Sequence, residues 1–228
     1  MEEIKIGINY PNINTASQNE MKGTRKRKTI KERLNFGIMY QHPRIYDLAI
    51  WLNDPNQLIV KTLARNIEGN SVLDLGCGTG TLYTHLPDTV EYTGLDLNED
   101  FIAFVNKKNR GTAYVRDILK DLSDFQADTV VLSDVLHHVT PQHQQLIDNA
   151  LLCARKKVII SACYEKEEGP FKRISEFIGR QIIDNDGLND QRAGAGWLKL
   201  DELLSFLKDN NGENFQKVLS HIHCEIKV

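Results

Sequence analysis

The chain has 228 residues, 41% hydrophobic and 26% charged, enough to bury roughly 70% of its unfolded surface without disulfide or metal staples. Its net charge of −3 excludes a protein that coats nucleic acid with its whole surface. No apolar run approaches the ~20 residues that a bilayer crossing needs, which excludes a membrane span.

The opening MEEIKIGINY lacks both a basic and an apolar leader region, so a cytosolic location is expected. Residues 1–33 are poor in apolar groups and read as a flexible arm. The arm ends in the cluster Lys22–Arg33, where seven Lys and Arg stand against one Glu and leave the remainder at net −9. Residues 34–68 read as a helical cap with helices over about 42–53 and 55–67. Asp54-Pro55 is the break between them, Pro fitting a first helical turn and Asp its N-cap.

From residue 69 to 228 short apolar strands alternate with helical stretches, the pattern of a mostly parallel sheet with crossover helices. The predicted strands are 71–75, 91–96, 112–117, 128–133 and 157–164. Asn98 caps a helix that carries Phe101, Ile102 and Val105 on one face, and Thr140-Pro141 begins another with a 3.6-residue stripe from Leu146 to Ala154. Short helical segments are expected near 81–86 and 119–125. Residues 165–198 form a polar, Gly-rich insertion with one amphipathic helix at about 170–184, and long insertions in compact domains are usually functional. A helix over 200–207 and a closing strand or hairpin over 215–228 complete the chain.

The most informative stretch is Asp74-Leu-Gly76-Cys77-Gly78-Thr-Gly80, a strand running into glycines and then a helix, where backbone can lie against a ligand with helix N–H groups behind it. Asp96 follows about 20 residues after Gly76, the distance at which a carboxylate meets ribose hydroxyls in a nucleotide-binding βαβ unit. Asp117 ends the third strand on the same edge, where it could accept from an adenine amino group. Thr81 stands where a dinucleotide fingerprint needs a last small residue, and the Asp74 carboxylate would repel a pyrophosphate. A ligand with adenosine and an amino-acid end but no phosphates fits both facts.

These residues, with Gly94-Leu-Asp96, Arg116-Asp117 and Ser133-Asp134-Val-Leu-His137-His138-Val139, resemble the class I S-adenosylmethionine-dependent methyltransferases over roughly residues 45–228. The resemblance implies a three-layer α/β sandwich with a mostly parallel seven-stranded sheet ordered 3-2-1-4-5-7-6, the seventh strand antiparallel. It implies S-adenosylmethionine as cofactor and S-adenosylhomocysteine as product. By the same resemblance Asp74, Gly76, Cys77 and Gly78 would line the methionine part and Asp96 would bind the ribose, with Leu97 also at the cofactor. Asp117 and Ile118 would meet the adenine, and Ser133 would offer its backbone carbonyl near the cofactor's amino group. Tyr40 or Tyr46 could close over the carboxylate.

Methyl transfer from a sulfonium is an in-line displacement, so much of its rate comes from positioning, and a base is needed where the acceptor carries a proton. His137 falls where plant-type small-molecule O-methyltransferases, which this stretch resembles, carry a catalytic histidine, and His138 is the second candidate. Their unperturbed pKa suits proton exchange near neutrality. Substrate recognition is expected from the arm and the insertion, with Tyr164, Arg173, Arg180 and Trp197 as candidates for an anionic or aromatic acceptor. No metal site is expected. The four cysteines lie far apart, and strand alternation sets His221 and His223 on one face with Cys224 on the other. The function expected is methylation of a small-molecule acceptor, most readily at oxygen. The alternatives are a nucleic-acid methyltransferase that uses the basic arm, or a non-catalytic cofactor-binding subunit.

Overall fold

The structure, a computed structural model, describes residues 38–165 and 198–228, with backbone only at 38 and 39. The chain divides into two units, residues 1–33 and 34–228, and the described residues all belong to the second. The predicted arm and the helix at 170–184 lie outside them.

Three helices come first: α1 (Ile38–Gln41), α2 (Pro43–Asn53) and α3 (Leu58–Arg65). Asp54 does not start the next helix as the sequence suggests. Its backbone closes α2 by donating to Ile50 O, a turn follows, and its carboxylate reaches forward to accept from Ile59 N at 2.9 Å. The carboxylate therefore still serves an orphan N–H at a helix start, from three residues further back than the N-cap Gln57.

A seven-stranded sheet follows, with order β3-β2-β1-β4-β5-β7-β6. Its strands are β1 (Ser71–Leu75), β2 (Glu91–Asp96), β3 (Thr112–Val115), β4 (Ala127–Ser133), β5 (Ala154–Cys163), β6 (Glu213–Val218) and β7 (His221–Lys227). The strands from β3 to β5 pair in parallel, and β7 lies antiparallel between β5 and β6. The expected closing element is a full hairpin turned at Leu219-Ser220. The helices are α4 (Glu99–Lys107), α5 (His143–Cys153) and α6 (Leu200–Asp209). Asn98 caps α4 as predicted, its side chain accepting from Asp100 N and Phe101 N. Helix α5 begins two residues beyond Pro141. The expected helix near 119–125 is replaced by turns, and the one near 81–86 is a single 3-10 turn, Leu82–His85, closed before Pro87.

Strand alternation builds the three layers. Leu73, Leu75, Val130, Leu132, Val158 and Ile160 face one side and pack with Leu146, Ile147 and Ala150 of α5 and Leu203 and Leu207 of α6. Val72, Tyr92, Val131 and Ile159 face the other and pack with Leu63 of α3 and Ile102 and Val105 of α4. Strands β1, β4 and β5 are thus apolar on both faces, which is why they read as continuous hydrophobic runs. Burial of this depth makes a single truncation such as Leu132→Ala cost about 2–5 kcal/mol. Between the two helical layers, the carboxyl ends of the parallel strands form one edge, where open α/β sheets bind ligands.

Candidate active site

The loop after β1 is folded by its own backbone. Gly76 N and Cys77 N both donate to Leu95 O, Gly80 N donates to Cys77 O, and Gly78 N donates to Asp96 Oδ2 at 2.9 Å. Gly76 has φ +79, and a Cβ there would come within 2.6 Å of Val135 Cγ2, so both conformation and space require glycine. The sequence suggested helix N–H groups behind this loop. Instead a 3-10 turn follows, and four of the loop's N–H groups are already bonded within the protein, so no phosphate cradle forms.

Two carboxylates flank the loop. Asp96, ending β2, accepts from Gly78 N and, through Oδ1, from Asn98 N at 2.8 Å. Burial raises its pKa, and the backbone donors of Asn98 and Gly78 oppose that rise. Asp74 is 3% exposed. Its Oδ2 accepts from Tyr92 Oη at 2.8 Å, while its Oδ1 is buried without a hydrogen-bond partner. Burial pushes its pKa up to about 7, with the Tyr92 hydrogen bond acting in the other direction and the Asp96 charge adding to the rise. Cys77 is buried and its thiol is pushed up first by burial and then by the Asp74 charge, which makes it a packed side chain and a poor nucleophile. Its Sγ fills the space that Gly94 leaves on β2.

The helical cap reaches this loop. The Tyr46 ring lies 3.4 Å from where a Gly78 Cβ would stand, and it packs on Phe101 at 4.8 Å and on Tyr40 at 5.7 Å. Burial, and then the charges of Asp134 and Asp96, raise the Tyr46 pKa. Asn98 Nδ2 donates to Tyr40 O, and Arg110 joins α2 to the loop by pairing with Asp47 at 3.3 Å while donating to Thr79 O at 2.9 Å. Further along the edge, Asp117 Oδ1 accepts from Leu119 N at 3.0 Å, Ile118 is buried, and Leu97 is 42% exposed beside Asp96. Ser133 pairs with Ser161 at the end of β4.

A second polar group stands where β4, β5 and β7 meet. Asp134 has φ +56 and donates its N–H to Ser161 O, a backbone turn that carries its side chain off the strand end. Its Oδ1 accepts from His221 Nε2 at 3.2 Å and lies 3.7 Å from His137 Nδ1. His137 Nδ1 is also 3.4 Å from Cys163 Sγ. The Asp134 side chain keeps 49% of its surface open. The protein packed around it opposes ionisation, but the His221 hydrogen bond and the neighbouring His137 outweigh this and hold the carboxyl well below the usual carboxylate range. The two candidate histidines stack at 3.9 Å and part company from there. His137 turns toward Asp134 and Cys163, and His138 lies edge-on to Tyr40 at 6.2 Å with its charge felt by Asp96.

Residues 73–157 match the family model described as a methyltransferase domain. The fold is that of the S-adenosylmethionine-dependent methyltransferases. The magnesium protoporphyrin IX methyltransferase of Synechocystis PCC 6803, solved with bound SAH, is 21% identical, with 80% of this chain covering 86% of that one at a TM-score of 0.56. An O-methyltransferase family protein from Burkholderia thailandensis is 15% identical, with coverage of 82% and 60% and a TM-score of 0.58. The pyocyanin biosynthetic protein PhzM is 13% identical, with coverage of 83% and 60% and the same TM-score. At these identities the likeness is one of fold, and the chain spans about three fifths of the length of the last two. No curated protein matches the sequence.

Within residues 73–157, the loop brings Asp74, Gly76, Cys77, Gly78 and Asp96 together, with Leu97, Asp117 and Ile118 on the same edge, Ser133 ending β4, and His137 and His138 after it. Tyr164 is 8% exposed, packed in the α5 and α6 layer with Lys217 Nζ 5.5 Å from its ring. Arg173, Arg180 and Trp197 lie outside the described residues. Sequence reasoning missed Tyr92 as the partner of Asp74, Arg110 as the tie between cap and loop, and His221 and Cys163 as neighbours of Asp134. The first stands 18 residues from Asp74 and points to it only once the register Asp74↔Gly94 is known. No helix among the described residues is long and apolar enough to cross a membrane.

Proposed function

We propose that the protein transfers the methyl group of S-adenosylmethionine to a hydroxyl of a small-molecule acceptor, with His137 as general base. The observation that carries this reading is the His137–Asp134 pair at the end of β4, on the sheet edge that holds the glycine loop. With Nδ1–H directed at Asp134 and Cys163, the basic lone pair of His137 sits on Nε2. Asp134, kept ionised, orients the ring and stabilises the imidazolium that forms when the acceptor's proton arrives. The bond from methyl to sulfur breaks as the bond from methyl to acceptor oxygen forms, and the sulfonium leaves as a neutral thioether.

The cofactor residues take the roles their geometry suits. Asp96 has one backbone N–H on each oxygen, which leaves lone pairs for two ribose hydroxyls. The orphaned Asp74 Oδ1 matches the ammonium of an amino-acid end, since a buried unpaired carboxylate oxygen calls for a charged donor. Asp117 accepts from the adenine amino group through the oxygen that Leu119 N does not use, while Leu97 and Ile118 supply apolar contact. Gly76, Cys77 and Gly78 let the ligand approach backbone, and Ser133 offers its carbonyl. His138, beside Asp96 and Tyr40, is the second candidate base. Tyr164, Arg173, Arg180 and Trp197 are assigned to the acceptor.

The test is a screen of phenols and hydroxy acids with methyl-labelled cofactor, comparing the native chain with His137→Ala. The variant loses turnover while cofactor affinity stays unchanged. Full turnover by the variant overturns the role of His137. Methylation of RNA that weakens steeply with salt would replace the small-molecule acceptor by a nucleic acid.

A further inference from the structure

Beyond its part in proton transfer, the junction of β4, β5 and β7 gathers more donor atoms than a base needs. Asp134 follows β4, Cys163 ends β5, and His221 opens β7 directly opposite Cys163 in the antiparallel register. Asp134 Oδ1, Cys163 Sγ and His221 Nε2 all lie within 4.8 Å of one another, and Oδ1 to Nε2 is 3.2 Å. His137 Nδ1 stands beside this group, 3.4 Å from Sγ and 3.7 Å from Oδ1, without belonging to it. A tetrahedral zinc ion with bonds of about 2.0–2.3 Å to N, O and S sets its ligands roughly 3.3–3.8 Å apart. The 3.2 Å between Asp134 Oδ1 and His221 Nε2 is close to an edge of such a tetrahedron.

We propose that Asp134, Cys163 and His221 bind one divalent cation of the zinc class, with the fourth position open to water or a small ligand. Donor chemistry selects the ion. An imidazole and a thiolate suit zinc, cobalt or copper and disfavour magnesium and calcium, which take all-oxygen shells. Charge also balances, since one carboxylate and one thiolate neutralise a divalent ion, and the Cys163 thiol gives its proton to solvent as the ion enters. The oxygen of Ser220, 3.5 Å from His221 Nδ1, stands on the side where a ligating imidazole turns its remaining N–H outward. The site is distinct from the H-x-H-C run in the sequence. His223 bonds to Ser161 Oγ at 3.0 Å and Cys224 is buried in the α5 and α6 layer, so only His221 of that run takes part.

Binding of the ion stands independently of the methyl-transfer reading, but one consequence rests on it. An ion on Asp134 takes the carboxylate that orients His137 and stabilises its imidazolium, so the loaded site weakens the base.

The test uses the full chain, stripped with chelator under a phosphine reductant and titrated with cobalt and then zinc. The expected result is one equivalent of cobalt with a thiolate-to-cobalt charge-transfer band, displaced by zinc. Cys163→Ser loses the band, and His221→Ala weakens binding by more than about 100-fold, beyond the loss typical of an outer-shell change. His137→Ala leaves all three ligands in place and keeps both the band and the affinity within a few-fold. S-adenosylmethionine titration and a melting curve on each variant confirm an intact fold. No cobalt uptake by the native chain, or an unchanged band in Cys163→Ser, overturns the site. Loss of cofactor binding with the band intact would count against the methyltransferase reading alone.

Discussion

Where β1 and β2 end, a buried carboxylate, Asp74, takes a tyrosine hydroxyl and a half-buried one, Asp96, takes backbone N–H groups. Where β4, β5 and β7 meet, a carboxylate stands among imidazoles and a thiol. The pKa values move in opposite directions: burial raises Asp74 to about 7 and raises Asp96, while Asp134 is pulled down by His221 and His137. Environments that drive like groups apart mark a division of labour. On the function proposed above, the first region holds hydroxyls and a cationic group, and the second moves a proton or holds a cation.

The largest effect expected from breaking this division is at His137. His137→Ala lowers turnover by about 10²–10⁴-fold, the usual worth of a positioned base, and leaves the calorimetric affinity for cofactor unchanged. A loss of affinity instead would merge the two regions into one binding site.

The next effect is on stability. Burial, and then the His221 charge, lower the His223 pKa to about 4, so the native state binds fewer protons than the unfolded chain at mildly acid pH. That stability is fully present above pH ~6.5 and is lost as pH falls toward ~4, by up to about 3 kcal/mol. Urea unfolding across this range should show the fall, and His223→Gln should flatten it.

Asp74 carries a smaller effect, on affinity, which also grows with pH. Its carboxyl is neutral below about pH 7 and anionic above, so affinity for a cofactor with an ammonium group tightens between about pH 6 and 8. Asp74→Asn weakens binding roughly tenfold at the upper end, the worth of one charged hydrogen bond, and removes the pH dependence. The smallest effect sharpens the same point. Tyr92→Phe deletes a hydrogen bond to the ionised form, costs about 1 kcal/mol, and moves the midpoint of that pH dependence upward.

The glycine loop was legible in the sequence because its residues are nearly contiguous. The run Asp74 to Gly80 and the acid ending the next strand belong to two adjacent parallel strands, β1 and β2, and the turn between them, and strand alternation told which residues enter which layer. The junction of β4, β5 and β7 draws on positions 134, 137, 163 and 221, which meet only through sheet order and the antiparallel register of a hairpin read as an uncertain closing element. The helical cap differed for a local reason. Asp54-Pro55 has the composition of a helix start, but the turn through Gln57, at φ +53, places that start at Leu58.

Calorimetric titration of the full chain with S-adenosylmethionine and S-adenosylhomocysteine, native and Asp96→Ala, tests the central claim most directly. Affinity in the micromolar range for both ligands, weakened more than about 100-fold in a variant that still melts cooperatively, is the predicted result, since two hydroxyl hydrogen bonds to a carboxylate are lost. No heat with either ligand, or an unchanged affinity in Asp96→Ala, would contradict it.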